Sequence, residues 1–300
     1  MTLNHRDDAL SSVLELLPGR LSDVVRRHAC DKAIEEIRLR AARPVQLVFS
    51  EGETVLETAA FTAEEASAFL DRLCRHSVYA YAEELRGGYI TLVSGARVGV
   101  CGRPSVENGR IAGMPRPTFF NIRIAREIPG CASEVIRLLT ENDAPVSTLI
   151  AAPPGGGKTT LLRDVARCLS EGINCDPLKV AIADERGEIA ACRDGVPGFD
   201  VGRRTDVMDR APKAECISLL IRSMSPQVIV TDEIGGEGDA EAIAEAARCG
   251  TAVIASAHAS CIDELLTRGC TSRLLSERVF RRVLILRRKG SALNVARVEL

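Results

Sequence analysis

Three hundred residues, with 39 Lys and Arg against 41 Asp and Glu, make a nearly neutral chain that is long enough for two ordinary cores and lacks the basic excess of a polyanion binder. Eleven cysteines without a CxxC pair or a Cys/His cluster argue against a zinc site; their odd number, with no leading signal segment, argues for reduced thiols in a cytoplasmic protein. No apolar run nears the ~20 residues of a membrane span, and with tryptophan absent and aromatics scarce, single-stranded nucleic acid finds few stacking platforms.

The first half has the texture of an α+β domain. Residues 9–27 read as a helix interrupted around Pro18-Gly19, and 34–39 and 45–49 alternate apolar and polar residues as strands do. Glu51-Gly52-Glu53 is a plausible hairpin turn. Residues 62–85 predict one long or two short helices, with Thr62 as N-cap and Glu65 at the capping-box position, stopped by Gly87-Gly88. Residues 89–93, 97–101 and 119–125 read as strands, and the Gly/Pro-rich stretch 102–117 as a loop. Asn142-Asp143-Ala144-Pro145 is a turn-rich joint, which sets the expected domains at 1–143 and 144–300.

The second half alternates strand and helix: 146–151, helix 158–170, 178–183, helix 213–224, 227–232, helix 239–248 and 251–257. That alternation predicts a mainly parallel sheet flanked by helices. Residues 282–288 and 292–299 read as an antiparallel pair joined at Lys289-Gly290.

Between the first strand and the first helix of this half lies Ala152-Pro153-Pro154-Gly155-Gly156-Gly157-Lys158-Thr159-Thr160. A strand, a glycine-rich turn and a helix start aim backbone N–H groups and a positive dipole end at phosphate oxygens. Pro154, Gly155, Gly156, Gly157, Lys158, Thr159 and Thr160 are therefore candidate nucleotide-binding residues, with Lys158 for the β- and γ-phosphates and the Thr159 hydroxyl for Mg²⁺. Ala152 stands where the motif has its first glycine. Only five of the basic residues are lysines, which makes the lysine in this loop less of an accident.

Three strand ends complete the set. Val228-Ile229-Val230-Thr231-Asp232-Glu233 is an apolar strand closing on two acids, Asp232 for the Mg²⁺ shell and Glu233 for polarising the attacking water. Strand 178–183 is followed by Asp184-Glu185-Arg186-Gly187-Glu188, where Asp184 is a candidate metal ligand and Glu185 a candidate catalytic acid. Ser256-Ala257-His258 ends another strand of the same sheet, and His258 is a candidate γ-phosphate sensor at the edge where parallel sheets bind ligands.

In this order the four elements resemble those of the traffic ATPases of bacterial secretion and pilus machines. Their phosphate loop, Asp box, Walker B and His box correspond to 152–160, 184–188, 228–233 and 256–258. Further stretches resemble the stage III sporulation protein AA family. In the second half these are Asp200-Val201-Gly202-Arg203-Arg204-Thr205-Asp206-Val207-Met208-Asp209, Ile221-Arg222-Ser223-Met224-Ser225-Pro226 and Thr231-Asp232-Glu233-Ile234-Gly235. In the first half they are Glu36-Ile37-Arg38-Leu39-Arg40, Gly95-Ala96-Arg97-Val98-Gly99-Val100 and Asn121-Ile122-Arg123-Ile124-Ala125-Arg126-Glu127.

The resemblance covers nearly the whole chain. It implies an α/β fold: a RecA-like P-loop NTPase core with a mainly parallel sheet, preceded by a smaller α+β N-terminal domain. It also implies ATP and Mg²⁺ as cofactors. The expected assembly is a homo-hexameric ring, cytoplasmic and peripherally docked on membrane-embedded sporulation channel proteins. By position, Arg97 and Arg123, with Arg126 behind them, are the N-terminal arginines expected to approach the nucleotide. Arg203 and Arg204 are candidates for action across a subunit boundary.

An ATP-driven motor is thus the leading expectation. A nucleic-acid-dependent RecA-like ATPase would carry a basic groove, which the charge balance argues against. A nucleotide-gated scaffold with slow turnover would have no use for a water-orienting acid at position 233.

Overall fold

The computed structural model describes residues 8–29, 34–49, 51–92, 94–124, 127–142, 144–192, 194–267, 269–289 and 292–299. They fall into two compact units, Met1–Arg126 and Glu127–Leu300. Among the described residues no helix is long and apolar enough to cross a membrane.

The first unit is built on a six-stranded antiparallel sheet under helices α1 (Asp8–Leu16), α2 (Gly19–Ala29) and α3 (Ala63–Leu73). Its strands are β1 (Ile34–Arg40), β2 (Arg43–Phe49), β3 (Gly52–Phe61), β4 (Tyr89–Thr91), β5 (Arg97–Glu107) and β6 (Arg110–Arg123), in the order β3-β2-β1-β6-β5-β4. Period-two patterning decides which face is buried. Ile37, Leu39, Leu47, Val98 and Ile122 join Val13, Leu21 and Phe69 of the helices in one core. Thr62 and Glu65 form the expected capping box, the Thr62 hydroxyl accepting from the Glu65 N–H and the Glu65 carboxylate from the Thr62 N–H. The helical stretch after it is in pieces, α3 and, beyond a 3-10 turn at Val78–Tyr81, α4 (Ala82–Arg86).

The stretch 102–117, expected as a loop, is the outer half of the β5–β6 hairpin, with Gly102 opposite Pro117 and Glu107 opposite Arg110. Asn108 and Gly109 turn it, both at positive φ, the conformation that Asn-Gly hairpin turns require. Beyond Gly99 on β5 and Phe119 on β6 no further strand pairs with this ribbon among the described residues. Pro104, Pro115 and Pro117 fall at or beside the shifts of register between Cys101 and Gly102 and between Arg103 and Ser105, where the ladder is already interrupted.

The second unit holds a seven-stranded sheet in the order β11-β10-β12-β13-β9-β14-β15. After α5 (Ser133–Leu139) and a two-stranded pair, β7 (Thr140–Glu141) with β8 (Ala144–Pro145), come β9 (Thr148–Ala152), α6 (Lys158–Glu171), β10 (Val180–Asp184) and β11 (Thr205–Asp209). They are followed by α7 (Lys213–Met224), β12 (Val228–Glu233), α8 (Glu237–Arg248), β13 (Ala252–His258), α9 (Ile262–Leu266), α10 (Gly269–Ser276), β14 (Arg282–Lys289) and β15 (Ala292–Glu299). Every pair in this sheet is parallel except β14–β15. Both faces are covered: α5 and α6 pack one against Ile150, Ile182 and Val230, and α7, α8 and α10 pack the other against Leu149, Ile229 and Val253. Burial on both sides is why these strands are apolar throughout rather than alternating.

The unit division falls after residue 126, ahead of the joint at 142–145, because Val135, Ile136 and Leu139 of α5 belong to the second core. Asp143, like Val93, Ala125, Arg126 and Gly290, lies outside the described residues. Strands β3 and β11 and helices α5, α9 and α10 are elements that the sequence patterns did not announce.

Candidate functional site

Adjacent parallel strands end on one edge, so β9, β13, β12 and β10 bring Ala152, His258, Glu233 and Asp184 to the same side of the sheet. The turn after β9 depends on its glycines in two ways. Gly155 and Gly157 sit at φ +73° and +85°, in the left-handed region that favours glycine. A Cβ at Gly156 would meet the Ala152 Cβ at 2.7 Å and the Pro153 carbonyl oxygen at 2.9 Å. Ala152 is thus accommodated because position 156 carries no side chain.

The first turn of α6 has no side-chain cap. Its N–H groups and dipole end form an anion-binding surface. Pro154 and Gly155 are exposed on this turn, while Thr159 and Thr160 are half-buried in the first helical turn. Among the described residues the Thr159 hydroxyl makes no hydrogen bond.

Lys158 is buried, and its ammonium donates to the carbonyl oxygens of Ala152 (2.9 Å) and Pro153 (3.3 Å) and to His258 Nδ1 (2.8 Å). An ammonium cannot accept, so His258 Nδ1 is the acceptor and its proton sits on Nε2. Nε2 in turn lies 3.1 Å from Glu233 Oε2, which is 4.0 Å from Arg186 Nη1. A continuous polar chain therefore runs from the phosphate-loop lysine through a neutral histidine to the strand-end glutamate.

The two aspartates differ. Asp232, 8% exposed, has its carboxyl pushed up to about 6 by burial, with the Lys213 ammonium pulling the other way. Lys213 Nζ lies 2.6 Å from Asp232 Oδ1 and 3.6 Å from both Glu185 Oε2 and Asp239 Oδ2, and donates to the Glu233 carbonyl.

Asp184 is fully buried. Its two oxygens accept three backbone N–H groups, from Glu188 (2.9 Å), Ile189 (3.0 Å) and Ala190 (2.9 Å). Burial raises its carboxyl from the ordinary value against those donors. Asp184, expected as a metal ligand, pins the following loop through these three backbone donors. Buried Arg163 of α6 holds the same loop from the other side, donating to the Ile189 (2.6 Å) and Glu188 (2.7 Å) carbonyls with its guanidinium over the Phe199 ring.

Arg97 and Arg123 belong to the first unit, directly opposite each other across β5–β6. The Arg97 guanidinium stacks 3.6 Å from the Tyr89 ring centroid, and Arg123 Nε is 3.5 Å from Glu36 Oε1. Arg203 and Arg204 lie at the C-terminal end of α6, about 20 Å along that 14-residue helix from the phosphate loop. Arg203 donates to both Glu171 carboxylate oxygens and Arg204 to the Ser170 carbonyl. A Cβ on Gly202 would come within 2.5 Å of the Ser170 Cβ, so the turn lies flat on the helix end.

Lys158, His258, Glu233, Asp232 and Glu185 are thus gathered at one edge. Lys213 and Arg163 are the additions. Lys213 carried a signal, since a chain that uses arginine almost everywhere keeps lysine at only five positions. A cleft of about 880 Å³ opens at the opposite edge of the sheet, lined among others by Pro145, Gln227, Arg248, Thr251 and Arg281; none of the strand-end acids lines it.

The family model described as Sporulation stage III, protein AA matches residues 7–298. Stage III sporulation protein AA of Bacillus subtilis (strain 168) is 43% identical over 294 residues, covering 96% of this chain and 94% of that protein. Among solved structures, the ATPase DotB of Legionella pneumophila matches with a TM-score of 0.60 at 16% identity, over 90% of this chain and 76% of that one. The pilus retraction motor PilT with bound ADP gives 0.55 at 14% identity, over 91% and 80%. At such identities the likeness speaks for the fold, a mixed α/β architecture similar to that of secretion ATPases.

Proposed function

The chain belongs to the family Sporulation stage III, protein AA, and on that premise we propose that it hydrolyses ATP as a motor of the secretion-ATPase type, driving assembly of, or transport through, a membrane complex during sporulation. The observation that carries this reading is the chain Lys158–His258–Glu233 beside an uncapped helix N-terminus. A binding module needs the loop and the lysine; a glutamate tied through histidine to that lysine serves hydrolysis.

In this reading the second unit is a RecA-like P-loop core. The backbone of 154–160 cradles the phosphates, and Lys158 exchanges its loop carbonyls for β- and γ-phosphate oxygens. His258, relieved of the lysine, senses that exchange and passes it to Glu233, which orients the attacking water and takes its proton. The Thr159 hydroxyl and Asp232 supply hard oxygens suited to Mg²⁺. Mg²⁺, when bound, neutralises charge on the phosphates and the leaving oxygen. Among the described residues no three His, Cys, Asp or Glu side chains form a ready ligand set. Water and phosphate would therefore fill most of the Mg²⁺ shell. Asp184 acts on this site by holding the loop that carries Glu185.

The first unit contributes Arg97 and Arg123 toward nucleotide in a homo-hexamer. The ring docks from the cytoplasm on membrane-embedded sporulation channel proteins. The test is Mg²⁺-dependent ATP turnover by the purified chain, abolished by Lys158→Ala and by Glu233→Gln, together with a shift toward hexamer on adding a non-hydrolysable ATP analogue. Absence of turnover in the parent chain overturns the reading.

A further inference from the structure

The turn after β10 is fastened on both sides of its tip. Asp184 accepts the N–H groups of Glu188, Ile189 and Ala190, and Arg163 donates to the carbonyls of Glu188 and Ile189. The Gly187 N–H closes on the Asp184 carbonyl at 3.1 Å, with Gly187 at φ +65°, where glycine is favoured. Between these fastenings stand Glu185 and Arg186, both exposed. The turn thus offers two solvent-facing side chains from a fixed backbone. Glu185 lies 3.6 Å from Lys213 Nζ, whereas Arg186 Nη1 lies 4.0 Å from Glu233 Oε2.

The cations of this edge differ in how they are held. Lys158 and Lys213 are buried among oxygens and His258, and buried Arg163 is bonded to two carbonyls and stacked on Phe199. The Arg186 side chain is 55% exposed, and among the described residues its one ion-pair partner is Glu233. At 4.0 Å that contact is charge attraction without a hydrogen bond, and such exposed pairs hold weakly. The same guanidinium reaches Asp232: burial raises that carboxyl, and Arg186 joins Lys213 in pulling it back. A loosely held arginine on a rigid turn therefore faces both strand-end acids from the solvent side.

We propose that Arg186 is a catalytic residue that leaves Glu233 for the γ-phosphate of ATP, and so frees Glu233 for the attacking water when a γ-phosphate is present. The inference rests on the ATPase reading, in which Lys158 holds the β- and γ-phosphates and Glu233 orients the water. A terminal phosphate carries more charge than one carboxylate, and the planar fork of arginine matches two of its oxygens. In the transfer, the water oxygen bonds to the γ-phosphorus as the bond to the β–γ bridging oxygen breaks. The water proton goes to Glu233 and the bond's electron pair to ADP. Arg186 moves no proton; it takes up the charge that spreads over the γ-oxygens. With ADP, which has no γ-phosphate, the guanidinium stays on Glu233.

The full chain is compared with Arg186→Ala, Arg186→Gln and Arg186→Lys by calorimetric titration with ADP and with a non-hydrolysable ATP analogue, and by ATP turnover. The Ala and Gln variants should bind ADP within about twofold of the parent and the analogue about tenfold or more weakly, since the contact exists with the γ-phosphate alone. Their kcat should fall by about a hundredfold or more, and lysine, a point charge without the fork, should restore part of the analogue binding and little of the rate. Melting temperatures should stay within about one degree of the parent, as for other exposed substitutions. Equal losses for ADP and the analogue, or unchanged turnover in R186A, overturn the proposal. A parent that binds both nucleotides yet hydrolyses no ATP overturns the functional reading, while the ratio of the two affinities still judges Arg186.

Discussion

Asp184 and Asp232 stand at the ends of neighbouring parallel strands, both buried and both raised by that burial above the ordinary carboxylate value. The path of the backbone beyond each strand end separates them. After Asp184 the chain turns back at once through Gly187 (φ +65°), whose N–H bonds the Asp184 carbonyl at 3.1 Å, and the next three N–H groups close over the carboxylate. After Asp232 the chain runs on through Gly235 and Gly236 into α8 and leaves the carboxylate to Lys213. Backbone donors make a fixed part of a loop. A single side-chain donor leaves an acid that can still take a second partner.

The largest test of that contrast is Asp232→Asn. Turnover should fall roughly a hundredfold or more, as for other groups that fix charge at a phosphoryl-transfer site, with a smaller thermal loss than Asp184→Ala because Lys213 keeps Glu185, Asp239 and the Glu233 carbonyl. An equal thermal loss would erase the difference between the two acids. Next is Asp184→Ala, which strands two buried N–H groups, of Ile189 and Ala190, and the part-buried one of Glu188, at about 1–3 kcal/mol for each buried group. Its melting temperature should drop by roughly 10 °C in calorimetry, with Asp184→Asn falling between.

Smaller is a pH effect. The Asp232 carboxyl titrates near 6 in the fold against 3.8 when unfolded, so the folded state binds the extra proton between those values. Stability should therefore fall as pH rises from about 4 to about 6, by up to a few kcal/mol, and Asp232→Asn should flatten the fall in chemical denaturation. The smallest concerns the far end of α6, where Arg203 holds the Glu171 carboxyl down to about 2. That contribution is present above the unfolded value of 4.5 and is lost as pH drops toward 2; for so exposed a pair, Glu171→Gln should move the melting temperature by about one degree or less.

Lys158, Glu233 and His258 were legible because each closes or follows an apolar run, and parallel strands put such ends on one edge. The Thr62–Glu65 capping box was legible because both halves of it are side chains at a set spacing. The hold of Asp184 on its loop was not, since its partners are backbone N–H groups, which no residue letter spells. Lys213 escaped because its acids lie on three separate elements and only the fold assembles them. The 102–117 ribbon was misread for a different reason. Its prolines outweighed Asn108-Gly109, although prolines where the ladder is already interrupted forbid nothing.

The strand order carries a consequence for how the chain is made. β9 is the first strand of its sheet to be synthesised, yet both its neighbours come late: Thr148 pairs with Ile254 on β13 and with Arg282 on β14. Until β13 emerges, the strand that carries the phosphate loop has two open edges and no sheet to join. Closure over such a separation is slow, and open apolar edges invite mispairing, so this strand is where a holding chaperone has most to protect. Lys158 and His258, 100 residues apart, meet only after that closure. A nascent chain that stops short of β13 displays the whole glycine loop and can grip nothing with it.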